Sequence, residues 1–158
     1  MEFFHKVDEV NGYLSNFYPV TFQIDNVTFN CVEQYLMWDK AMTFNDTKTA
    51  KDILAETNPD AIKGLGRRVK NYNDSLWAAK RYSVVRKGLL AKFSQNPKLK
   101  DKLLNSSGKF AECARNDKVW GIGLDLNDPK RVDQSFWEGR NLLGFALEDV
   151  YTELKNMR

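Results

Sequence analysis

Apolar residues follow two different periods along this chain. In the first thirty residues they form short stretches that are typical of strands. Phe22–Ile24 and Val27–Phe29 flank the pair Asp25-Asn26, and both residue types of this pair tolerate a positive φ. We therefore predict an antiparallel hairpin over these residues. Beyond residue 30 the apolar spacing becomes helical.

Capping residues and helix breakers give the limits of the predicted helices. The helices are expected over 31–41, from Asp46 to about Glu56, from Asn58-Pro59 to near Gly64 and Gly66, from about Asp74 to Ser94, from Asn96-Pro97 to before Ser106, and from Asn141 to about Lys155. Residues 109–114 fit one more short strand. Few strands among five or six helices predict a single helix-rich α+β domain over residues 1–158, with a small N-terminal antiparallel β element, and not a doubly wound parallel sheet.

Composition excludes several classes of protein. No apolar run approaches the roughly 20 residues that a bilayer requires, and acidic residues stand where a secretory signal needs a basic start. We therefore expect a cytoplasmic protein without a membrane segment. The chain has one histidine, His5, and two cysteines, Cys31 and Cys113, with no CxxC pair. A disulfide framework, a metal site and a Ser-His relay are all poor fits to these residues, and we expect no metal.

The net charge of +3 conceals an uneven distribution. Residues 63–102, here called the basic stretch, contain twelve Lys or Arg against Asp74 and Asp101, a net charge of +10. The rest of the chain has twelve basic and nineteen acidic residues, a net charge of −7. Such a field attracts phosphate groups, although a solvated helix face has the same composition.

The predicted helix over 31–41 carries two charged residues among apolar ones. Glu33 and Lys40 are seven positions apart, which places them within roughly 20° on the helix surface and about 10 Å apart along its axis. Met37, Leu36 and Ala41 flank them, and charges are costly to bury in such surroundings. This spacing lets the two groups reach two ends of one nucleotide-sized ligand.

A structural explanation exists for both residues. Asn30 and Glu33 fit a capping box, in which each side chain bonds the backbone N–H of the other residue. Lys40, near the helix end, suits the helix dipole. The pattern of this helix alone leaves both explanations open.

Two segments place polar groups near aromatic residues or glycines. GYLSNFYP (12–19) contains Ser15 and Asn16 among aromatic side chains, as a base-stacking or ribose-binding loop requires and as a packed surface loop also shows. KGLGRRVK (63–70) places Arg67 directly after two glycines. Glycine N–H groups can approach an oxyanion, and arginine binds phosphate through two donors. A helix end with solvated arginines explains this second segment equally well.

Two later segments combine tryptophan with glycine. NDKVWGIG (116–123) places Asp117 three residues before Trp120, which suits a carboxylate beside a stacked ring, or an Asx-type turn with a core tryptophan. WEGRNLLG (137–144) places Asn141 at the start of the last helix, where N–H groups point outward and can bind an anion.

In this order the segments GYLSNFYP, VEQYLMWDKA, LGRRVK, LLAKFSQNPKLKDKLL, DKVWGIG and WEGRNLLG resemble the NADAR superfamily, which is named for its association with NAD and ADP-ribose. The resemblance runs from about Phe3 to Leu154, and the ordered set is specific although no single segment is. It implies a YbiA-like α+β fold and an N-glycoside hydrolase acting on ribosylated nitrogen bases. The chain departs from the family pattern at Gln34, where many members have histidine.

The resemblance also implies site residues, motif by motif. The catalytic positions would be Glu33, Lys40 and Asp117, and the substrate would be bound by Ser15, Asn16, Arg67, Trp77 and Trp120. No cofactor is implied. The implied partner is a phosphorylated ribosyl substrate: ADP-ribose on guanine in nucleic acid, or a ribosylaminopyrimidine phosphate of riboflavin synthesis.

The residue chemistry is compatible with this activity. Breaking a ribosyl C1′–N bond builds positive charge on the sugar and requires an acid for the departing base, roles that two carboxylates can share. A lysine could bind the phosphate, or attack an opened ribose aldehyde to form a Schiff base. Two alternatives remain open: a non-catalytic module that binds ADP-ribose or nucleic acid, and a nucleic-acid-binding module without a nucleotide pocket. The combination of two carboxylates and a lysine favours the enzyme.

Overall fold

A computed structural model describes residues 1–157 of the chain. The described part is α+β, as predicted, with six α-helices and four short strands. The strands are β1 (Glu2–Phe4), β2 (Phe22–Ile24), β3 (Val27–Phe29) and β4 (Phe110–Glu112). The helices are α1 (Val32–Thr43), α2 (Thr47–Ala55), α3 (Pro59–Gly66), α4 (Asp74–Ser94), α5 (Pro97–Leu104) and α6 (Leu142–Asn156). Short 3₁₀ helices cover Gly12–Leu14, Pro129–Val132 and Gln134–Phe136.

The elements predicted from local patterns are confirmed. Strands β2 and β3 pair antiparallel, and the two residues between them, Asp25 and Asn26, have φ angles of 51° and 66°. The side chains of Asp46, Asn58 and Asn73 each accept a backbone N–H in the first turn of the helix that follows. These caps satisfy donors that the first turn of a helix otherwise leaves without a partner.

A second, parallel pair of strands was not predicted. Strand β1 pairs with β4, with Glu2 opposite Phe110 and Phe4 opposite Glu112. More than one hundred residues separate the two strands, and β1 has only three residues. A strand this short has no detectable alternation of its own, so its pairing depends on tertiary contacts.

The chain divides into two compact units. The first unit comprises Met1–Tyr18 together with the chain from Pro97 onward, and the second comprises Pro19–Asn96. The organisation as one domain stays a prediction. In the second unit α1 packs against α2, α3 and α4. Such a position explains why most residues of α1 are buried, whichever side of the helix they occupy.

Aromatic rings attach the hairpin of the second unit to α1. The Phe29 ring lies 5.1 Å from the ring of Tyr35 and 5.5 Å from that of Trp38, both with edge-on geometry. In the first unit α6 packs on β4 and on α5. A small apolar core continues beyond β4 and contains Ala111, Cys113, Ile122 and Leu124. Within residues 1–157 no helix is both long enough and apolar enough to cross a membrane.

Candidate active site

Helix α1 carries Glu33 in its first turn and Lys40 in its last. The helix begins at Val32, after Cys31 in an extended conformation at the N-cap. Glu33 is only 8% exposed, whereas Lys40 is half-buried. Burying a carboxylate to this extent costs free energy unless its charge is paired or hydrogen-bonded.

The capping-box interpretation of Glu33 is wrong. The N-cap residue is Cys31 and not Asn30, and it makes no side-chain capping bond. The backbone N–H of Asn30 donates instead to Oε1 of Gln34, at 2.7 Å. The Gln34 amide donates to the carbonyl oxygens of Ile53 at 3.1 Å and Glu56 at 3.0 Å. Gln34 therefore joins the start of α1 to the end of α2.

Charged groups from three helices surround Lys40. Burial lowers the pKa of Lys40 from its ordinary value; the charges of Glu33 and Asp74 raise it, and the charge of Arg67 lowers it. The Lys40 ammonium also lies 4.7 Å from the centre of the Tyr72 ring. These five residues, Glu33, Lys40, Arg67, Tyr72 and Asp74, form what we call the Lys40 cluster, and all belong to the second unit.

Sequence reasoning missed Tyr72 and Asp74. Tyr72 lies on the connection between α3 and α4, Asp74 is the first residue of α4, and the Tyr72 hydroxyl donates to Oδ1 of Asp74 at 2.8 Å. The residue types gave no sign of this arrangement, because a polar turn with one tyrosine is common. Only the position of the turn beside α1 brings the two residues to Lys40.

The glycines of KGLGRRVK do not form an anion-binding loop. Gly64 and Gly66 are part of α3, and the Arg67 N–H donates to the Lys63 carbonyl at 3.2 Å in the last turn. A Cβ at Gly66 would collide with the Met37 sulfur, so this glycine lets α3 approach α1 closely. Arg67 itself is an exposed residue at the helix end, as the alternative interpretation of this segment expected.

Trp77, a predicted substrate-binding residue of the second unit, is buried on α4. This position suits a packing role, and its place in a substrate pocket stays a prediction.

Lys92, one of the cations of the basic stretch, is fully buried and not part of a solvated face. Burial lowers its pKa to about 7, and the neighbouring Cys31 acts in the opposite direction.

In the first unit, Ser15 and Asn16 follow the 3₁₀ helix Gly12–Leu14, and both are buried. The Ser15 hydroxyl accepts the Phe17 N–H at 3.1 Å. Asn16 is 7% exposed, and its Oδ1 is a buried acceptor without a hydrogen-bond partner among the residues that the structure describes. An unpaired buried acceptor costs about 1–3 kcal/mol, so a ligand that donates to this oxygen would recover that cost.

Asp117 forms an Asx-type turn, which was one of the two interpretations of the segment NDKVWGIG. Its Oδ1 accepts the N–H groups of Val119 at 3.0 Å and Trp120 at 2.9 Å. Trp120 is half-buried and not a core residue. Both bonds of this turn use Oδ1, and a catalytic role for Asp117 stays a prediction.

The anion-binding interpretation of the α6 N-terminus is wrong. The N–H groups of residues 140–143 donate to the carbonyl oxygens of residues 118–121. Asn141, which is fully buried, donates through its side chain to the Phe110 carbonyl at 2.9 Å and accepts the Glu112 N–H at 3.1 Å. These bonds fasten the Asp117 turn and β4 to the start of α6, which explains the polar residues of this segment.

Neither cysteine is suited to nucleophilic chemistry. Cys31 and Cys113 are free and buried, and burial raises the pKa of each to about 11. Both thiols are therefore protonated at neutral pH, whereas the thiolate is the reactive form. No group of three His, Cys, Asp or Glu side chains in residues 1–157 is arranged to hold a metal ion.

Of the predicted site residues, Glu33, Lys40 and Arg67 meet in the Lys40 cluster of the second unit. Trp77 belongs to the same unit. The remaining four, Ser15, Asn16, Asp117 and Trp120, belong to the first unit. Glu33 and Lys40 together present a buried carboxylate and an amine of lowered pKa, a combination that suits proton transfer or attack on an electrophilic carbon.

Comparison with known proteins identifies a family and several similar chains. The family model described as "NADAR domain" matches residues 3–155. Protein irg-1 of Caenorhabditis elegans is 38% identical over 157 residues, which cover 89% of this chain and 74% of the relative. N-glycosidase R617 of Acanthamoeba polyphaga mimivirus is 36% identical over 145 residues, with 88% and 85% covered.

A solved structure agrees with the fold. The NMR structure of the Escherichia coli protein YbiA superposes with a TM-score of 0.80 at 27% identity, and covers 99% of this chain and 85% of that one. The E. coli sequence is named N-glycosidase YbiA and is 28% identical over 152 residues, 96% of this chain and 86% of the relative.

Proposed function

The chain belongs to the NADAR domain family, and we propose that it is an N-glycosidase that hydrolyses the bond between a ribose and a nitrogen base. Two of its relatives, the mimiviral R617 and YbiA, are named N-glycosidases. The observation that carries the proposal is the placement of buried Glu33 and half-buried Lys40 on the same helix, where the charge of Glu33 acts on Lys40 and Glu33 does not form the capping box.

Glu33 has the central role in the proposed reaction. As the C1′–N bond breaks, positive charge develops on the ribose, and a buried carboxylate stabilises it more strongly than one in water. Glu33 also accepts a proton from the attacking water, whose oxygen forms the new bond to C1′ either directly or after the Lys40 amine has displaced the base as a Schiff base. The departing nitrogen keeps the bonding electrons and takes a proton from an acid, for which we propose Asp117.

The proposed substrate carries phosphate. Arg67 is exposed at the end of α3, and its charge acts on Lys40, so a phosphate bound there would be close to the α1 residues. Most of the other basic-stretch cations in the second unit are also exposed, and their field would attract an anionic substrate. We propose either ADP-ribosylated guanine in nucleic acid or a ribosylaminopyrimidine phosphate.

The buried Oδ1 of Asn16, which has no hydrogen-bond partner among the described residues, suits a ligand with hydroxyl or N–H donors. Ribose hydroxyls and the amino groups of a base both provide such donors. We propose that Asn16 binds one of them and that Ser15, Trp77 and Trp120 complete the substrate contacts.

A product assay tests the proposal. Purified protein is incubated with an ADP-ribosylated guanine oligonucleotide and, separately, with a ribosylaminopyrimidine phosphate, and the released sugar and base are measured by chromatography. We expect release from one substrate, loss of release in Glu33→Gln, and full release in the control Asp52→Asn, which changes an exposed carboxylate on α2. Binding of ADP-ribose or DNA without release from either substrate would favour the non-catalytic alternative.

A further inference from the structure

The turn between α3 and α4 places an aromatic ring against the lysine of the candidate site. The Tyr72 ring centre lies 4.7 Å from Nζ of Lys40, and Tyr72 is 42% exposed. Its neighbour Asn71 has a φ of 61°, a left-handed conformation that asparagine adopts more readily than most residues. The backbone turn therefore directs the tyrosine toward α1.

Two further contacts fix the orientation of this ring. Its hydroxyl donates to Oδ1 of Asp74 at 2.8 Å, and its centre lies 5.4 Å from the buried Phe44 ring in a T-shaped arrangement. Asp74 is the first residue of α4, where a carboxylate also interacts favourably with the helix dipole. With one end bonded and one edge packed, the ring keeps its face toward Lys40.

We propose that Tyr72 is a positioning residue for Lys40: its ring, oriented by Asp74, holds the lysine amine beside Glu33 and shields it from water. This inference rests on the proposed function only for its catalytic consequence. An aromatic face attracts an ammonium group, and the volume of the ring excludes water from one side of it. Lys40 thereby keeps one position despite its flexible stem.

The charges that face Lys40 come from each helix that contributes to the cluster. Glu33 lies on α1, Arg67 ends α3 and Asp74 begins α4, and burial is the largest influence on the pKa of Lys40, which it lowers. Removing the Tyr72 ring leaves these three charges in place and admits water. Loss of the ring also removes its attraction for the ammonium, which lowers the pKa, but burial is the largest influence. The pKa of Lys40 should therefore rise toward its ordinary value.

Competitive labelling tests the predicted effect of Tyr72 on the pKa of Lys40 without any substrate. The acetylation of Lys40 by acetic anhydride is followed against pH by peptide mass spectrometry, with exposed Lys48 as the internal reference. In Tyr72→Ala we expect the apparent pKa of Lys40 to move toward that of Lys48. Tyr72→Phe, which keeps the ring, should retain most of the wild-type difference.

The control for labelling is Leu76→Ala, which removes a 59% exposed apolar side chain from the same end of α4. It should leave the apparent pKa of Lys40 at the wild-type value. An unchanged or lower apparent pKa of Lys40 in Tyr72→Ala, in protein whose melting temperature matches the wild type, overturns the proposal.

Kinetics with the substrate that the wild type hydrolyses give the second measurement. Tyr72→Ala should lower kcat by about tenfold or more with KM nearly unchanged, because a displaced lysine affects the reaction more than binding. Tyr72→Phe should restore most of kcat. A rise in KM at constant kcat would instead make the ring a binding platform for the substrate and would overturn the proposal. If the wild type hydrolyses neither substrate, the proposed function fails while the labelling result still stands.

Discussion

The side chain of Gln34 accepts the backbone N–H of Asn30 at 2.7 Å, one residue away from the glutamate that sequence patterns place in this role. This bond joins the residue before the N-cap Cys31 to the first turn of α1. The neighbouring Glu33 does not make it, although Glu33 is buried at 8% exposure. We therefore propose separate roles for these two adjacent residues of similar size, which single substitutions distinguish.

We predict that Glu33→Gln loses turnover by at least about 100-fold, the scale of removing a positioned acid–base group. The amide keeps the shape of the side chain and lacks the negative charge. The melting temperature should stay near that of the wild type. Steady-state kinetics and thermal unfolding on the same samples check this, and unchanged turnover would return Glu33 to a structural role.

We predict the opposite for Gln34→Leu. Leucine fills a similar volume but cannot accept the Asn30 N–H or donate to the Glu56 and Ile53 carbonyls, although the Ile53 carbonyl keeps the Glu56 N–H as a donor. The free energy of unfolding should fall by on the order of 3 kcal/mol, since each unsatisfied buried group costs about 1–3 kcal/mol. Urea unfolding measures the loss, while activity per folded molecule should persist. A free energy of unfolding equal to that of the wild type would contradict the stabilising role assigned to Gln34.

Lys40→Arg separates two mechanisms for Lys40. In one mechanism the neutral amine attacks C1′ of the ring-opened ribose, and the base leaves with the electrons of its bond to C1′ and takes a proton. Water later hydrolyses the resulting Lys40 Schiff base, whereas borohydride reduces its C=N bond to a stable adduct. We predict that borohydride traps this adduct on Lys40 during turnover and that Lys40→Arg is inactive, because a guanidinium stays charged. The matched control is Lys80→Arg, whose ammonium pairs with Asp39 at 3.0 Å. An active Lys40→Arg enzyme without an adduct would leave Lys40 only a phosphate-binding role.

Arg67→Ala should weaken the binding of a phosphorylated substrate. If the substrate is nucleic acid, the slope of log affinity against log salt should become shallower by about one, because one phosphate contact is lost. Arg68→Ala is the control, because Arg68 is also exposed and is not among the charges that act on Lys40. Titrations at several salt concentrations decide the outcome. Equal effects of the two variants would indicate a solvated face with no specific site.

Buried Lys92 should make stability depend on pH. Its pKa is about 7 in the folded protein and about 10.5 as an ordinary lysine, so between these values the unfolded chain binds one more proton. Raising the pH through this window therefore favours the folded state, by up to about 1.4 kcal/mol per pH unit. Below pH 7 the full cost of the buried charge remains.

The measurement for Lys92 compares urea unfolding at pH 7 and pH 9. Wild type should gain stability relative to Lys92→Met over this interval, because methionine does not titrate. Lys87→Met, at an exposed position of the same helix, should show the pH dependence of the wild type. Parallel curves for wild type and Lys92→Met would refute the assignment.

Much of the secondary structure was predictable because its causes are local. Positive φ at Asp25 and Asn26 turns the hairpin, and caps at Asp46, Asn58 and Asn73 start three of the helices. These residues act on backbone groups within a few positions, so the sequence alone contains the relevant information. For the site, the helix bearing Glu33 and Lys40 was predictable for the same reason.

The remaining features depend on residues that are distant in the chain, and only the tertiary structure decided them. Sequence spacing could not show that Gln34, and not Glu33, binds the backbone N–H of Asn30, because the partners of Gln34 include two carbonyls at the end of α2. Likewise, only the structure shows that the glycines before Arg67 belong to α3 and that Gly66 packs on Met37. The Tyr72 ring contacts Lys40 only because packing places the turn between α3 and α4 beside α1. Sequence determines which chemical groups and local turns exist, whereas burial and long-range contacts determine which of those groups meet and at what pKa.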